Sequence, residues 1–120
     1  MQITKAELEI MHVLWDVSGL GATEIHAKLE AETSWSIRTV KTLLSRLTEK
    51  GALATTQHGR KFHYAPLVSQ HDYQASAAGQ FIDRVFSGRA APLVAHLADT
   101  RGLTDEDIAE LETLIGKLKS

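Results

Sequence analysis

The sequence predicts a mainly α (α+β) chain: a winged helix-turn-helix with a three-helix C-terminal dimerisation arm. Three observations carry this. Three helical segments are followed by a β-hairpin; the third helix separates leucines from cations and hydroxyls; and the chain beyond residue 67 holds three more amphipathic stretches. The expected division is a winged-helix DNA-binding domain over 1–67 and a helical dimerisation region over 68–120.

The first helix carries a complete start signal. Thr4 is a good N-cap, Glu7 three residues on can close a capping box, and Ile3 and Leu8 occupy the staple positions. Leu8, Met11, Leu14 and Trp15 then recur at helical spacing, and the helix should stop near Ser18-Gly19. A shorter second helix is expected over about 22–31, with Ile25 and Leu29 on its inner face.

The third helix starts at Ser36 as N-cap, with Trp35 and Val40 at the staple positions, and runs to Lys50 before Gly51 ends it. At 100° per residue, Ile37, Val40, Leu43, Leu44 and Leu47 cluster on one side. Arg38, Thr42, Ser45 and Glu49 lie opposite, flanked by Lys41 and Arg46. The apolar side must pack inward, which leaves outward the residue types that contact phosphates and base edges. The N-terminal part of such a helix reaches deepest into a major groove, so Arg38, Thr39, Lys41, Thr42 and Ser45 are groove candidates and Arg46 a phosphate candidate. Glu49 is discordant beside phosphates and is expected to leave the groove or to pair with Lys50 or Arg46.

Two short β-compatible runs, 54–57 and 61–64, flank His58-Gly59-Arg60, a hairpin by its turn chemistry that Pro66 closes. Arg60 and Lys61 sit at its tip, where a wing would meet a phosphate backbone or a minor groove.

Beyond the hairpin, Ala78, Phe81, Ile82, Val85 and Phe86 form a helical stripe ended by Ser87-Gly88. Pro92 suits a helix start, followed by Leu93, Val94, Leu97 and Ala98 up to Gly102. Thr104 caps a last helix, with Asp105, Glu106 and Asp107 in its first turn, Lys117 and Lys119 in its last, and Ile108, Leu111, Ile115 and Leu118 as its apolar residues. Three such helices in about 53 residues are near the lower limit for an independent core, so their stripes need a partner surface, and a homodimer is expected.

Composition agrees. An apolar fraction of 43% argues against disorder. The net charge is −2, yet of 13 basic and 15 acidic residues, six basic ones (Arg38, Lys41, Arg46, Lys50, Arg60 and Lys61) and only Glu49 fall between Trp35 and Tyr64. A basic middle in an acidic chain suits a local polyanion-binding face. The absence of cysteine excludes disulfides and thiolate metal sites. No apolar run approaches the roughly 20 residues that span a bilayer, and Glu7, Glu9 and Asp16 break the first apolar stretch, so neither a membrane nor a signal peptide is indicated and a cytoplasmic protein is expected.

His12, His26, His58, His63, His71 and His96 show no i, i+4 ligand spacing, although His58 and His63 straddle the hairpin turn and could approach. With no nucleophile–base pairing, phosphate loop or paired carboxylates, no enzyme, metal or cofactor is expected. The residues by themselves leave two other readings open, a winged-helix protein-interaction adaptor and a histidine-based metal-responsive regulator.

Over nearly its whole length the chain resembles the BlaI/MecI/CopY penicillinase-type repressors. The likeness rests on Thr4 to Trp15 (TKAELEIMHVLW), Trp35 to Gly51 (WSIRTVKTLLSRLTEKG), Gly59 to Leu67 (GRKFHYAPL), Phe86-Ser87-Gly88, and Leu93-Val94-Ala95-His96-Leu97. The resemblance implies a homodimeric repressor on a palindromic operator, often with TACA/TGTA-like half-sites, dimerising through its C-terminal helices. It places DNA contacts on Arg38, Thr39, Lys41, Thr42, Ser45, Arg46, Arg60 and Lys61. Dimer contacts are expected from Phe81, Ile82, Val85, Phe86, Leu93, Val94, Leu97, Ile108, Leu111, Ile115 and Leu118.

Two departures bear on induction. His96-Leu97 stands where members released by a sensor pathway carry a cleavable Asn-Phe bond, so the resemblance brings no cleavage site and leaves any sensor or protease partner open. The paired Cys-x-Cys motifs of copper-responsive members are absent. Ile37 stands where many relatives start the recognition helix with Pro, a change that a helix N1 position tolerates.

Overall fold

Thr4 Oγ1 accepts the Glu7 N–H at 3.2 Å while Glu7 Oε1 accepts the Thr4 N–H at 2.8 Å, so the first helix begins with a closed capping box. In the computed structural model, which describes residues 1–120, this helix is α1, Lys5–Asp16. It is followed by α2 (Ala22–Leu29), α3 (Ile37–Glu49), strands β1 (Leu53–His58) and β2 (Lys61–Pro66), and helices α4 (Gln70–Phe86), α5 (Ala90–Thr100) and α6 (Asp105–Lys119). No helix is long and apolar enough to cross a membrane.

The chain divides into two compact units, Met1–Tyr73 and Gln74–Ser120. That division falls inside α4, later than the 67/68 boundary expected from the order of segments. Trp15 supplies the physical reason: its indole N–H donates to the Val68 carbonyl at 2.9 Å, and its ring centroid lies 5.7 Å from that of Tyr73. The first turn of α4 is thereby tied to α1.

The first unit is the winged helix. Ile10, Met11 and Leu14 of α1, Ile25 and Leu29 of α2, and Val40, Leu43, Leu44 and Leu47 of α3 are buried together with Ala52 and Leu53. Each such aliphatic side chain contributes roughly 1.5–3 kcal/mol by leaving water. The second helix ends two residues earlier than its pattern suggested. The Thr33 N–H and hydroxyl both return to the Leu29 carbonyl, at 2.8 and 3.1 Å, and close the helix there.

The third helix starts where expected, with Ser36 Oγ accepting the Thr39 N–H at 3.2 Å. It stops on a Schellman pair, Ala52 N–H to Leu47 C=O at 2.9 Å and Gly51 N–H to Thr48 C=O at 3.1 Å. Gly51 has φ +83°, a conformation that glycine adopts without steric cost.

The two strands pair antiparallel from Leu53↔Pro66 to His58↔Lys61. The loop is therefore two residues, Gly59-Arg60, with Gly59 at φ +63°, and His58 belongs to β1 rather than to the turn. The Tyr64 N–H donates to Leu20 C=O at 3.0 Å and the Gly19 N–H to Tyr64 C=O at 2.9 Å, which fastens β2 to the α1–α2 connection.

In the second unit no residue of α5 or α6 is buried, nor any of α4. The apolar stripe from Ala78 marks only the later part of α4. Its start lies at Gln70, where Ser69 Oγ accepts the Asp72 N–H at 3.0 Å. Pro92 is the third residue of α5, not its first; the helix still tolerates it because first-turn N–H groups have no intrahelical acceptor. Thr104 and Asp107 cap α6 reciprocally, at 3.0 and 3.3 Å.

Candidate nucleic-acid interface

Burying Val40, Leu43, Leu44 and Leu47 fixes the rotation of α3 about its axis, and with it what the helix shows to solvent. Arg38, Thr39, Lys41, Thr42, Ser45 and Arg46 are all exposed. None of the three cations forms an ion pair, and the hydroxyls are partly engaged locally. Thr42 donates to the Arg38 carbonyl at 3.0 Å, and Thr39 lies 3.2 Å from Ser36 Oγ. Thr42 therefore presents its methyl group and hydroxyl lone pairs outward rather than a free proton.

The wing comes to the same side. A cleft of about 550 Å³ is bordered by Lys41 and Ser45 of α3, by Arg60, Lys61, Phe62 and Tyr64 of the hairpin, and by Ala22, Thr23 and Glu24 at the start of α2. Arg60 and Lys61 thus share a concavity with two residues of α3. Strand alternation sets Lys61 and Phe62 on opposite faces of the hairpin, with Phe62 and Tyr64 on the face that also carries Leu53 and Thr55 and looks towards α3. Burial pushes the Tyr64 phenol above its usual range, which keeps it a neutral hydrogen-bonding group.

Lys50 does not belong to this surface. Its ammonium is bonded to the Glu7 carboxylate, which is buried, and donates to the Gln2 carbonyl at 2.9 Å. Of the two outcomes expected for Glu49, leaving the groove or pairing with Lys50 or Arg46, the pairing does not occur: Lys50 is engaged by Glu7, and Glu49 is exposed without an ion-pair partner. Burial raises the Glu7 pKa, but the Lys50 and Thr4 hydrogen bonds and the Lys50 charge outweigh it, so the carboxyl sits below its usual value. The capping role of Glu7 is legible in the sequence, but nothing local marks a partner 43 positions away.

All the histidines but His71 are engaged in backbone bonds or in ring contacts. His63 Nδ1 donates to the Gly19 carbonyl at 3.1 Å, and His26 Nε2 to the Trp35 carbonyl at 2.9 Å. His58 and His63 do approach, with ring centroids 5.1 Å apart. No group of three or more His, Asp or Glu side chains converges as a metal site.

In the second unit the residues expected at a dimer contact split into two sets. Ile82, Phe86, Leu93, Leu97 and Leu111 are half-buried. Phe81, Val85, Val94, Ile108, Ile115 and Leu118 are exposed, Leu118 by 86%. Leu114 joins the exposed set; its signal in the sequence is its position three residues after Leu111.

Comparison with known proteins agrees with this architecture. The family model described as penicillinase repressor matches residues 3–117. The penicillinase repressor of Bacillus licheniformis is 34% identical over 99% of this chain and 93% of its own length. The methicillin resistance regulatory protein MecI of Staphylococcus aureus is 28% identical over 97% of this chain and 94% of its own. The solution structure of monomeric B. licheniformis BlaI in complex with the blaP half-operator matches 61% of this chain and 89% of that one, at 41% identity and a TM-score of 0.53. With a helix–helix–helix–hairpin order, an outward-facing cationic α3 and these matches, the chain belongs to the penicillinase repressor family.

Proposed function

We propose that this protein is a sequence-specific DNA-binding transcriptional repressor that acts as a homodimer on a palindromic operator, with α3 of each copy in the major groove. The observation that carries the reading is the exposed face of α3. Three unpaired cations alternate with three short hydroxyl side chains on a helix whose opposite face is locked into the core. Arg38, Thr39, Lys41, Thr42 and Ser45 face base edges; Arg46, with Arg60 and Lys61 from the wing, holds phosphates. The similarity to BlaI, whose structure was solved on a half-operator, supports the same assignment.

The homodimer rests on the exposed apolar side chains of α4–α6. Phe81, Val85, Val94, Ile108, Leu114, Ile115 and Leu118 are large apolar side chains left exposed on these three helices, the kind of surface that a partner covers. A second copy of the same helices covers them through a twofold axis, which also matches the symmetry of a palindrome.

The test is selection of duplexes from a random pool by the intact chain, followed by titration at several salt concentrations. An enriched inverted repeat bound by two chains is expected, with loss of that preference in Arg38→Ala plus Arg46→Ala. Recovery of no preferred sequence, or unchanged binding by the double variant, overturns the proposal.

A further inference from the structure

The face of the hairpin directed at α3 carries Leu53, Tyr64 and Phe62 in successive pleats, by the pairs Leu53↔Pro66, Thr55↔Tyr64 and Gln57↔Phe62. Leu53 is fully in the core and Tyr64 packs against it. Phe62, one pleat further, passes the edge of the core and is 47% exposed. It borders the cleft that contains Lys41, Ser45 and Arg60, and also an adjoining cleft with Ser45, Thr48 and Thr55. An aromatic ring thus stands in water between cations and hydroxyls, where neither core packing nor counter-charge accounts for it.

We propose that Phe62 is a specificity-determining residue whose ring contacts the C5-methyl group of a thymine in the groove that α3 enters. The inference rests on the DNA-binding reading above and names one contact within it. Because Phe62 borders the same cleft as Lys41 and Ser45, its ring meets the groove occupied by α3 rather than the neighbouring one. A phenyl ring has no donor or acceptor for the polar base edges. The thymine methyl is the apolar group that a major groove displays, so it is the feature such a ring can distinguish. Removing one methyl from water is a small effect, roughly fourfold in affinity.

The experiment uses the intact chain and the best duplex it selects from a random pool. Each thymine is replaced in turn by deoxyuridine, which removes only the methyl group. The wild type is expected to lose roughly fourfold at one position of each half-site. Phe62→Ala should bind the thymine duplex more weakly by at least as much and become indifferent to uracil at that position, while Phe62→Leu keeps part of the sensitivity. All three should share one salt dependence, since no phosphate contact changes. A uracil penalty of equal size in the wild type and Phe62→Ala overturns the inference, and so does a wild type indifferent to uracil everywhere. A variant that merely folds badly weakens both duplexes alike and keeps that penalty, so it too counts against Phe62. Failure of the wild type to select any sequence defeats the DNA-binding reading itself, a distinct result.

Discussion

Lys50 at the C-terminal end of α3 is bonded to Glu7 in the first turn of α1, and the carboxylate it holds is only 1% exposed. The pair joins the end of α3 to the start of α1. One basic residue of the cationic segment is thereby withdrawn from the proposed interface.

Removing the lysine should cost more than adding nothing in its place, because a buried carboxylate is left alone. Lys50→Met is expected to lower unfolding free energy by about 2 kcal/mol, below the full value for a wholly buried pair since the lysine is one-third exposed. Urea titration at neutral pH measures it. Operator affinity measured on the folded fraction should be little changed.

The same pair makes stability depend on acid. Glu7 has its folded pKa below the usual 4.5, so its contribution is fully present above that value and is lost as pH falls through the lower folded value. Wild-type stability should therefore decline from about pH 4.5 downward. Glu7→Gln, which can still close the cap at Thr4, should show a shallower decline over that range. Equal slopes in the two proteins would remove Glu7 from the explanation.

Two substitutions on α3 should separate positioning from recognition. Arg46→Ala is expected to weaken binding to every duplex and to reduce the salt slope by about one unit per half-site. Thr42→Ala should leave the slope unchanged and relax the preference at one base pair by roughly 1 kcal/mol. Titrations on the selected duplex and on single-base variants of it distinguish the two outcomes.

A charge placed in the exposed stripe of the second unit should split the proposed dimer. Ile115→Asp together with Val85→Asp is expected to give a monomer by sedimentation while the winged helix keeps its helical circular dichroism. Affinity for the full palindrome should then fall on the order of a hundredfold or more, because two linked half-sites are no longer engaged at once.

Ser87 stands at φ +53° at the end of α4, a left-handed conformation that costs a residue with a side chain. Ser87→Gly should raise stability by about 0.5–1 kcal/mol, compared at equal chain concentration because a dimer's apparent stability depends on it.

What the sequence determined by itself lies within one or two turns of chain. The capping pairs at Thr4, Ser36 and Thr104, the stop at Gly51 and the split of α3 into leucine and cation faces all follow from spacings of three and four residues. The hairpin was legible as well, but its loop came out one residue too long because turn composition alone does not set register. Tertiary structure decided the allegiances between distant segments: Lys50 with Glu7, Trp15 with Val68, His63 with Gly19, and Phe62 beside Ser45. Those depend on how packed helices orient their side chains in space, and a carboxylate or a phenyl ring carries no local mark of which distant partner will lie within reach.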